Sequence, residues 1–176
     1  MAKPATYEVI QPANPLRAKV GPPRPTDPGL IARAEAALQD MAGEYLGWVE
    51  RDLAALEASA AEFAAATANP ARRAAALQTV YGVVHDIKGQ GATFEFTLVT
   101  GVAAALCRYL EQTAEIGGEG AAADPEIVTA HVAALRAVIH NGIRGDGGAL
   151  GRQVERELAN AVGRSLARAA TQPRSS

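Results

Sequence analysis

Apolar residues recur at alternating steps of three and four along most of the chain, which is the period of an amphipathic α-helix. Five such rows are present, over residues 46–63, 77–91, 99–109, 128–138 and 150–162. No stretch shows the two-residue alternation that is typical of a half-buried β-strand. The pattern therefore predicts an all-α protein.

Three dipeptides mark the starts of helices. Asp27-Pro28, Asn69-Pro70 and Asp124-Pro125 each place a capping side chain before a proline. The side chain accepts a hydrogen bond from a free amide of the first turn, and proline at the first helical position has no amide to satisfy. Helices are predicted to begin near 28, 70 and 125, and the Asn141-Gly142 pair predicts a helix end.

These signals predict an antiparallel four-helix bundle, because long amphipathic helices with short connections pack as antiparallel neighbours. The predicted bundle helices span residues 44–67, 70–91, 95–115 and 125–141. An additional N-terminal helix near 29–41 and a C-terminal helix from the row 150–162 are predicted to extend the bundle.

The two ends of the chain differ in composition from the middle. Seven of the ten prolines lie within residues 1–28, and proline at this density breaks helices. We expect residues 1–28 to form an extended or disordered arm, residues 29–169 to form the helical bundle, and residues 170–176 to form a disordered tail.

Composition excludes several classes of function. A formal net charge of −2 argues against a broad basic surface for nucleic acid. No apolar run approaches the roughly 20 residues of a membrane span, and the first residues lack the apolar stretch of a signal peptide. We therefore expect a cytoplasmic protein that binds neither nucleic acid nor membrane.

The segment from Val84 to Gly91 carries the candidate chemistry. His85 is followed one turn later by Gly89 and preceded by Gly82, so two residues without side chains flank the imidazole. Glycine inside a helix costs roughly 1 kcal/mol relative to alanine, which indicates a need for clearance. Lys88 is placed to bring a positive charge beside the imidazole, which is a nucleophile when neutral.

This segment, His85-Asp86-Ile87-Lys88-Gly89, resembles the H-x-x-K-G signature of histidine phosphotransfer domains. The residues that follow, 92–96, resemble the turn into the next helix of that family. Glu95 stands where the family usually has a glycine beside an aromatic residue. The resemblance covers roughly residues 40–145.

The resemblance implies a stoichiometric phosphoryl carrier rather than an enzyme. His85 would accept a phosphoryl group from the aspartate of one receiver domain and donate it to another, and Lys88 would help to neutralise the phosphoryl charge. The implied partners are response-regulator receiver domains and a hybrid histidine kinase. The family has no ATP site and needs no cofactor, because the receiver domain supplies magnesium. We expect Tyr81, Gly82, Gly89 and Ala92 to form the docking surface for these partners.

Other functions stay open at this point. One is a helical adaptor that binds receiver domains without being phosphorylated. Another is the phosphoacceptor and dimerisation domain of a histidine kinase, although those usually continue with threonine or asparagine and then proline where Lys88-Gly89-Gln90 stands. The phosphoacceptor domain of a chemotaxis-type kinase is a third, with its kinase domain elsewhere. No metal site is predicted, because His131 and His140 lack acidic partners at ligand spacing.

Overall fold

The computed structural model describes Lys19 and residues 27–117 and 122–171, and every regular element within them is a helix. This confirms the all-α prediction. The five helices are α1 (Pro28–Ala65), α2 (Pro70–Thr93), α3 (Thr97–Gly117), α4 (Pro125–His140) and α5 (Gly148–Thr171). Most of the predicted arm, over residues 1–18 and 20–26, and most of the predicted tail, over residues 172–176, lie outside the described residues.

Helix α1 joins two predicted elements into one. The N-terminal helix near 29–41 and the first bundle helix near 44–67 form a continuous helix, Pro28–Ala65. The helix is continuous because no proline lies between Pro28 and Pro70 to interrupt its backbone hydrogen bonds. The chain divides into two units after Ala37, and the bundle described below belongs to the second unit.

The predicted capping residues begin their helices. Asn69 accepts a hydrogen bond from the amide of Arg72 at 3.0 Å, and Asp124 accepts one from the amide of Glu126 at 2.9 Å. Asp27 caps the start of α1 in the same way. The side-chain oxygen in each case satisfies an amide that has no partner within the helix.

Contacts between side chains give the order of the bundle. Gln90 donates to Asp52 at 3.1 Å and Arg72 donates to Glu62 at 3.0 Å, so α1 and α2 lie side by side and run in opposite directions. Helix α3 packs on α2 and on α4, and an ion pair between Arg136 and Glu57 links α4 back to α1. Helices α1 to α4 therefore form the four sides of an antiparallel bundle.

The predicted apolar rows form the core. Nearly all their members in α1 to α4 are buried, and they form one continuous cluster with Tyr45, Phe94 and Phe96. The side chain of Leu46 lies outside the described residues. The core of the bundle was thus contained in the three-and-four spacing of the sequence.

Helix α5 packs on α3 and α4 outside this square, and Val154, Leu158 and Val162 of its predicted row face the core. Leu150 begins the predicted row but is 56% exposed, whereas Gly151, Leu158 and Ser165 are buried. A side chain at Gly151 would collide with the carbonyl oxygen of Asp146. The backbone at Gly151 is thus closely packed, and only the neighbouring Leu150 of the predicted row faces outward.

The turn between α2 and α3 contains two unusual backbone positions. A Cβ atom at Gly91 would lie 2.8 Å from Thr100 Oγ1, so this glycine allows α3 to approach α2 closely. The predicted helix spans residues 70–91, and α2 continues two residues beyond this to Thr93. Glu95 adopts a φ of 63°, which is the left-handed conformation that favours glycine.

We predict that Glu95→Gly stabilises the protein by about 1 kcal/mol, because glycine adopts a positive φ without the steric cost of a Cβ atom. Denaturant unfolding of the variant and the wild type measures the difference. Ala92→Gly, in the last turns of α2, is the matched control and should lose about as much, since its backbone is helical. A loss of stability in Glu95→Gly would contradict the strain argument.

Candidate functional site

His85 lies on the exposed side of α2, with its side chain open to solvent. A Cβ atom built at Gly82 or at Gly89 would have no neighbour within 4 Å. The surface on both sides of the imidazole is therefore open, and neither glycine is needed for packing within the bundle. This differs from Gly91, two residues after Gly89, whose missing side chain makes room for α3.

Lys88 is half-buried one turn after His85, on the side of α2 that faces α3. Burial raises the pKa of the Cys107 thiol on α3, and the positive charge of Lys88 partly offsets that rise. The lysine stem thus lies along the bundle surface, where a long aliphatic chain packs while its ammonium group stays solvated. Ala92, one turn beyond Lys88, is exposed.

Tyr81 lies one turn before His85, and the two rings face each other. Their centroids are 6.1 Å apart and their planes differ by 26°. The Tyr81 hydroxyl donates a hydrogen bond to a carboxylate oxygen of Glu111 on α3 at 2.7 Å. The four predicted site residues Tyr81, His85, Lys88 and Ala92 follow helical spacing and share one side of α2.

Glu111 was not predicted as a site residue. Its link to Tyr81 crosses from α3 to α2, and no local sequence pattern gives the register between two helices. The only signal in the sequence was indirect, since an acidic residue in the middle of an amphipathic helix faces outward or toward a groove. Gln90, also on α2, faces away from this site and donates to Asp52 on α1.

The other two histidines differ in setting from His85. His131 is fully buried in α4, and its Nδ1 lies 2.8 Å from the carbonyl oxygen of Ile127. Its Nε2 is buried without a hydrogen-bond partner among the described residues. His140 is exposed in the last turn of α4. His140 thus serves as an exposed reference for His85.

The burial of His131 predicts that the stability of the protein depends on pH. Burial lowers the pKa of His131, and the hydrogen bond to Ile127 only partly opposes this. Below about pH 6.5, His131 is protonated in the unfolded chain but stays neutral in the folded one. The free energy of unfolding is therefore highest above about pH 6.5 and decreases as the pH falls below it. We expect His131→Leu to reduce the pH slope between pH 7 and 5, by up to about 1.4 kcal/mol per pH unit.

Denaturant unfolding at several pH values measures this slope. His140→Gln is the control, because it removes an exposed histidine from the same helix and leaves the buried His131 in place. Equal slopes in the wild type and in His131→Leu would exclude His131 as their source.

Two further findings concern the described residues as a whole. Within residues 27–117 and 122–171, no group of three or more histidine, cysteine, aspartate and glutamate side chains is placed to hold a metal ion. In the same ranges, no helix combines the length and apolar character that a membrane span requires.

The chain was also compared with models of protein families, with curated proteins and with solved structures, and none of the three comparisons gave a match. The interpretation of the site therefore depends on the residues themselves: an exposed histidine on a bundle helix, open on both sides, with a lysine one turn away.

Proposed function

We propose that this protein is a histidine phosphotransfer protein, which carries a phosphoryl group on His85 between receiver domains of a two-component phosphorelay. The observation that carries the proposal is the open surface around His85. Glycines at 82 and 89 leave space on both sides of an exposed imidazole. A partner domain with its own reactive group needs such access, because the two reacting atoms must approach to roughly 3–3.5 Å.

The proposed transfer has two balanced steps. A nitrogen lone pair of the neutral His85 imidazole attacks the phosphorus of an aspartyl phosphate on the first receiver domain. An N–P bond forms, the P–O bond breaks, and its electrons leave with the aspartate carboxylate. In the second step, a carboxylate oxygen of the second receiver attacks the same phosphorus, the N–P bond breaks, and its electrons return to the imidazole.

Lys88 contributes charge to this reaction. The transferred phosphoryl group spreads negative charge over three oxygens, and a nearby ammonium group stabilises it as a point charge. The half-buried stem of Lys88 limits the directions in which its ammonium group extends. We expect the magnesium ion to be bound by the receiver domain, and we assign no cofactor, ATP site or catalytic turnover to this chain.

The partners that fit this role are response-regulator receiver domains and a hybrid histidine kinase, which we expect to meet the protein in the cytoplasm. The docking surface (Tyr81, Gly82, Gly89 and Ala92) surrounds His85 on α2. Few side chains project from this surface, because two of its four residues are glycines. A flat or convex partner surface can therefore reach the imidazole without clashing.

The experiment that tests the proposal is phosphoryl transfer from a panel of labelled receiver domains and hybrid kinases of the source organism. Label that moves to the full-length protein, and from there to a second receiver, supports the carrier function. Binding of a receiver domain without transfer of label would contradict it, and would favour a helical adaptor that uses the same surface.

A further inference from the structure

Tyr81 connects His85 to the neighbouring helix. Its ring lies against the imidazole with 6.1 Å between centroids and 26° between planes. Its hydroxyl is hydrogen-bonded at 2.7 Å to Glu111 on α3. The tyrosine is therefore fixed at two points, by its backbone on α2 and by the hydrogen bond of its hydroxyl to α3. The imidazole of His85 is stacked against its ring.

The side chain of an exposed histidine on a helix adopts a preferred orientation only when a neighbouring group, here the Tyr81 ring, contacts it. Among the described residues, His85 has no hydrogen-bond partner, so its side chain would otherwise exchange between staggered rotamers. Offset aromatic contacts at 4.5–7 Å are stabilising by roughly 0.5–1.5 kcal/mol beyond the area they bury. By the relation of about 1.4 kcal/mol per tenfold change, this favours one orientation by several fold.

The hydrogen bond to Glu111 makes the Tyr81 ring a fixed platform rather than a second mobile side chain. This bond raises the pKa of the Tyr81 hydroxyl, and partial burial adds to the rise. The phenol therefore keeps its proton and remains a donor to the carboxylate throughout the neutral pH range. Glu111 contacts Tyr81 and acts on His85 only through it.

We propose that Tyr81, anchored by Glu111, is a positioning residue that holds the His85 imidazole in the orientation from which it reacts with a phosphoryl donor. The proposal rests on the function proposed above, since it concerns the reactivity of His85. It differs from the docking role expected for Tyr81, because it requires an effect on the imidazole in the absence of any partner protein.

The test uses the full-length chain and phosphoramidate, a small phosphoryl donor that has no protein docking surface. Four variants are compared with the wild type: Tyr81→Phe, Tyr81→Ala, Glu111→Ala and Glu111→Gln. Mass spectrometry measures phosphorylation of His85 relative to the exposed His140 in the same molecules. Heteronuclear NMR measures the ring-current shift and the side-chain rotamer of His85, and thermal unfolding monitors the fold.

We expect Tyr81→Ala, Tyr81→Phe and Glu111→Ala each to slow His85 phosphorylation several fold relative to His140, and to broaden its rotamer distribution. Glu111→Gln keeps an acceptor oxygen for the tyrosine hydroxyl, so it should retain most of the wild-type rate and rotamer. Unfolding temperatures should be similar in Tyr81→Phe and the two Glu111 variants, whereas Tyr81→Ala should unfold at a lower temperature because the Tyr81 ring packs against the core.

Two results would overturn the proposal. One is an unchanged His85 rotamer and phosphoramidate rate in Tyr81→Phe and Glu111→Ala. The other is a defect that appears only with receiver domains, which would make Tyr81 a docking residue alone. If no receiver phosphorylates the wild type, the carrier function fails, but the NMR comparison still decides whether Tyr81 orients the imidazole.

Discussion

Replacement of His85 by glutamine is expected to abolish phosphoryl acceptance from receiver domains while the bundle stays folded. The amide of glutamine has no basic nitrogen to attack phosphorus, so the effect on transfer is complete rather than partial. His85 is exposed on α2, and substitutions at such positions usually change stability by less than about 0.5 kcal/mol. Radiolabel transfer and thermal unfolding of the purified variant measure the two effects.

His140→Gln is the matched control for this experiment, because His140 is also an exposed histidine on a helix. It should accept the phosphoryl group at the wild-type rate. If His85→Gln is still labelled, or if His140→Gln loses its label, the phosphoryl group belongs to another residue than His85.

Replacement of Gly89 by leucine is expected to slow transfer from receiver domains by at least about tenfold, which corresponds to about 1.4 kcal/mol. The leucine side chain has room on the isolated protein, because a Cβ atom at this position has no neighbour within 4 Å. It would project into the space through which a partner reaches His85. Stability should rise by up to about 1 kcal/mol, since leucine is a better helix former than glycine.

Gly163→Leu is the control for this variant. Gly163 is an exposed glycine of α5, and a Cβ atom there is equally free of neighbours. This variant should show the same gain in stability without a loss of transfer. Unchanged transfer in Gly89→Leu would show that the glycine is not required for partner access. A loss of stability without a loss of transfer would place its role within the fold.

The parts of the fold that were predicted correctly depend on local chemistry. Helices begin at Pro28, Pro70 and Pro125 because a capping side chain directly precedes each proline. The two residues of each signal are adjacent in sequence, so the signal is visible without the structure. The apolar rows of α2 and α3 are buried because an amphipathic helix turns its apolar stripe toward the core.

The parts that were not predicted depend on how helices meet. Leu150 continues the apolar period of α5 and yet is exposed, because that period does not show how far along its length the helix is covered by α3 and α4. The close approach of Thr100 on α3 to Gly91 was likewise not predicted. Both depend on which neighbouring helix covers each position, and this is not encoded in the apolar period of a single helix.

The candidate site divides in the same way. His85, Lys88 and the two flanking glycines were identified from spacing along α2, which places them on the surface by helical geometry alone. Glu111 was not identified, because its contact with Tyr81 depends on the pairing of α2 with α3. Sequence therefore indicated the candidate histidine, and the structure added the contact between Glu111 and the neighbouring Tyr81.

The most direct test of the carrier function is to identify the modified atom after the wild-type protein reacts with a phosphorylated receiver domain. Mass spectrometry under alkaline conditions and phosphorus–proton NMR locate the phosphoryl group. The account predicts an acid-labile phosphoryl group on a nitrogen of His85, which returns to an aspartate when an unphosphorylated receiver is added. A stable complex with no modified histidine, or a phosphoryl group on any other residue, would contradict it.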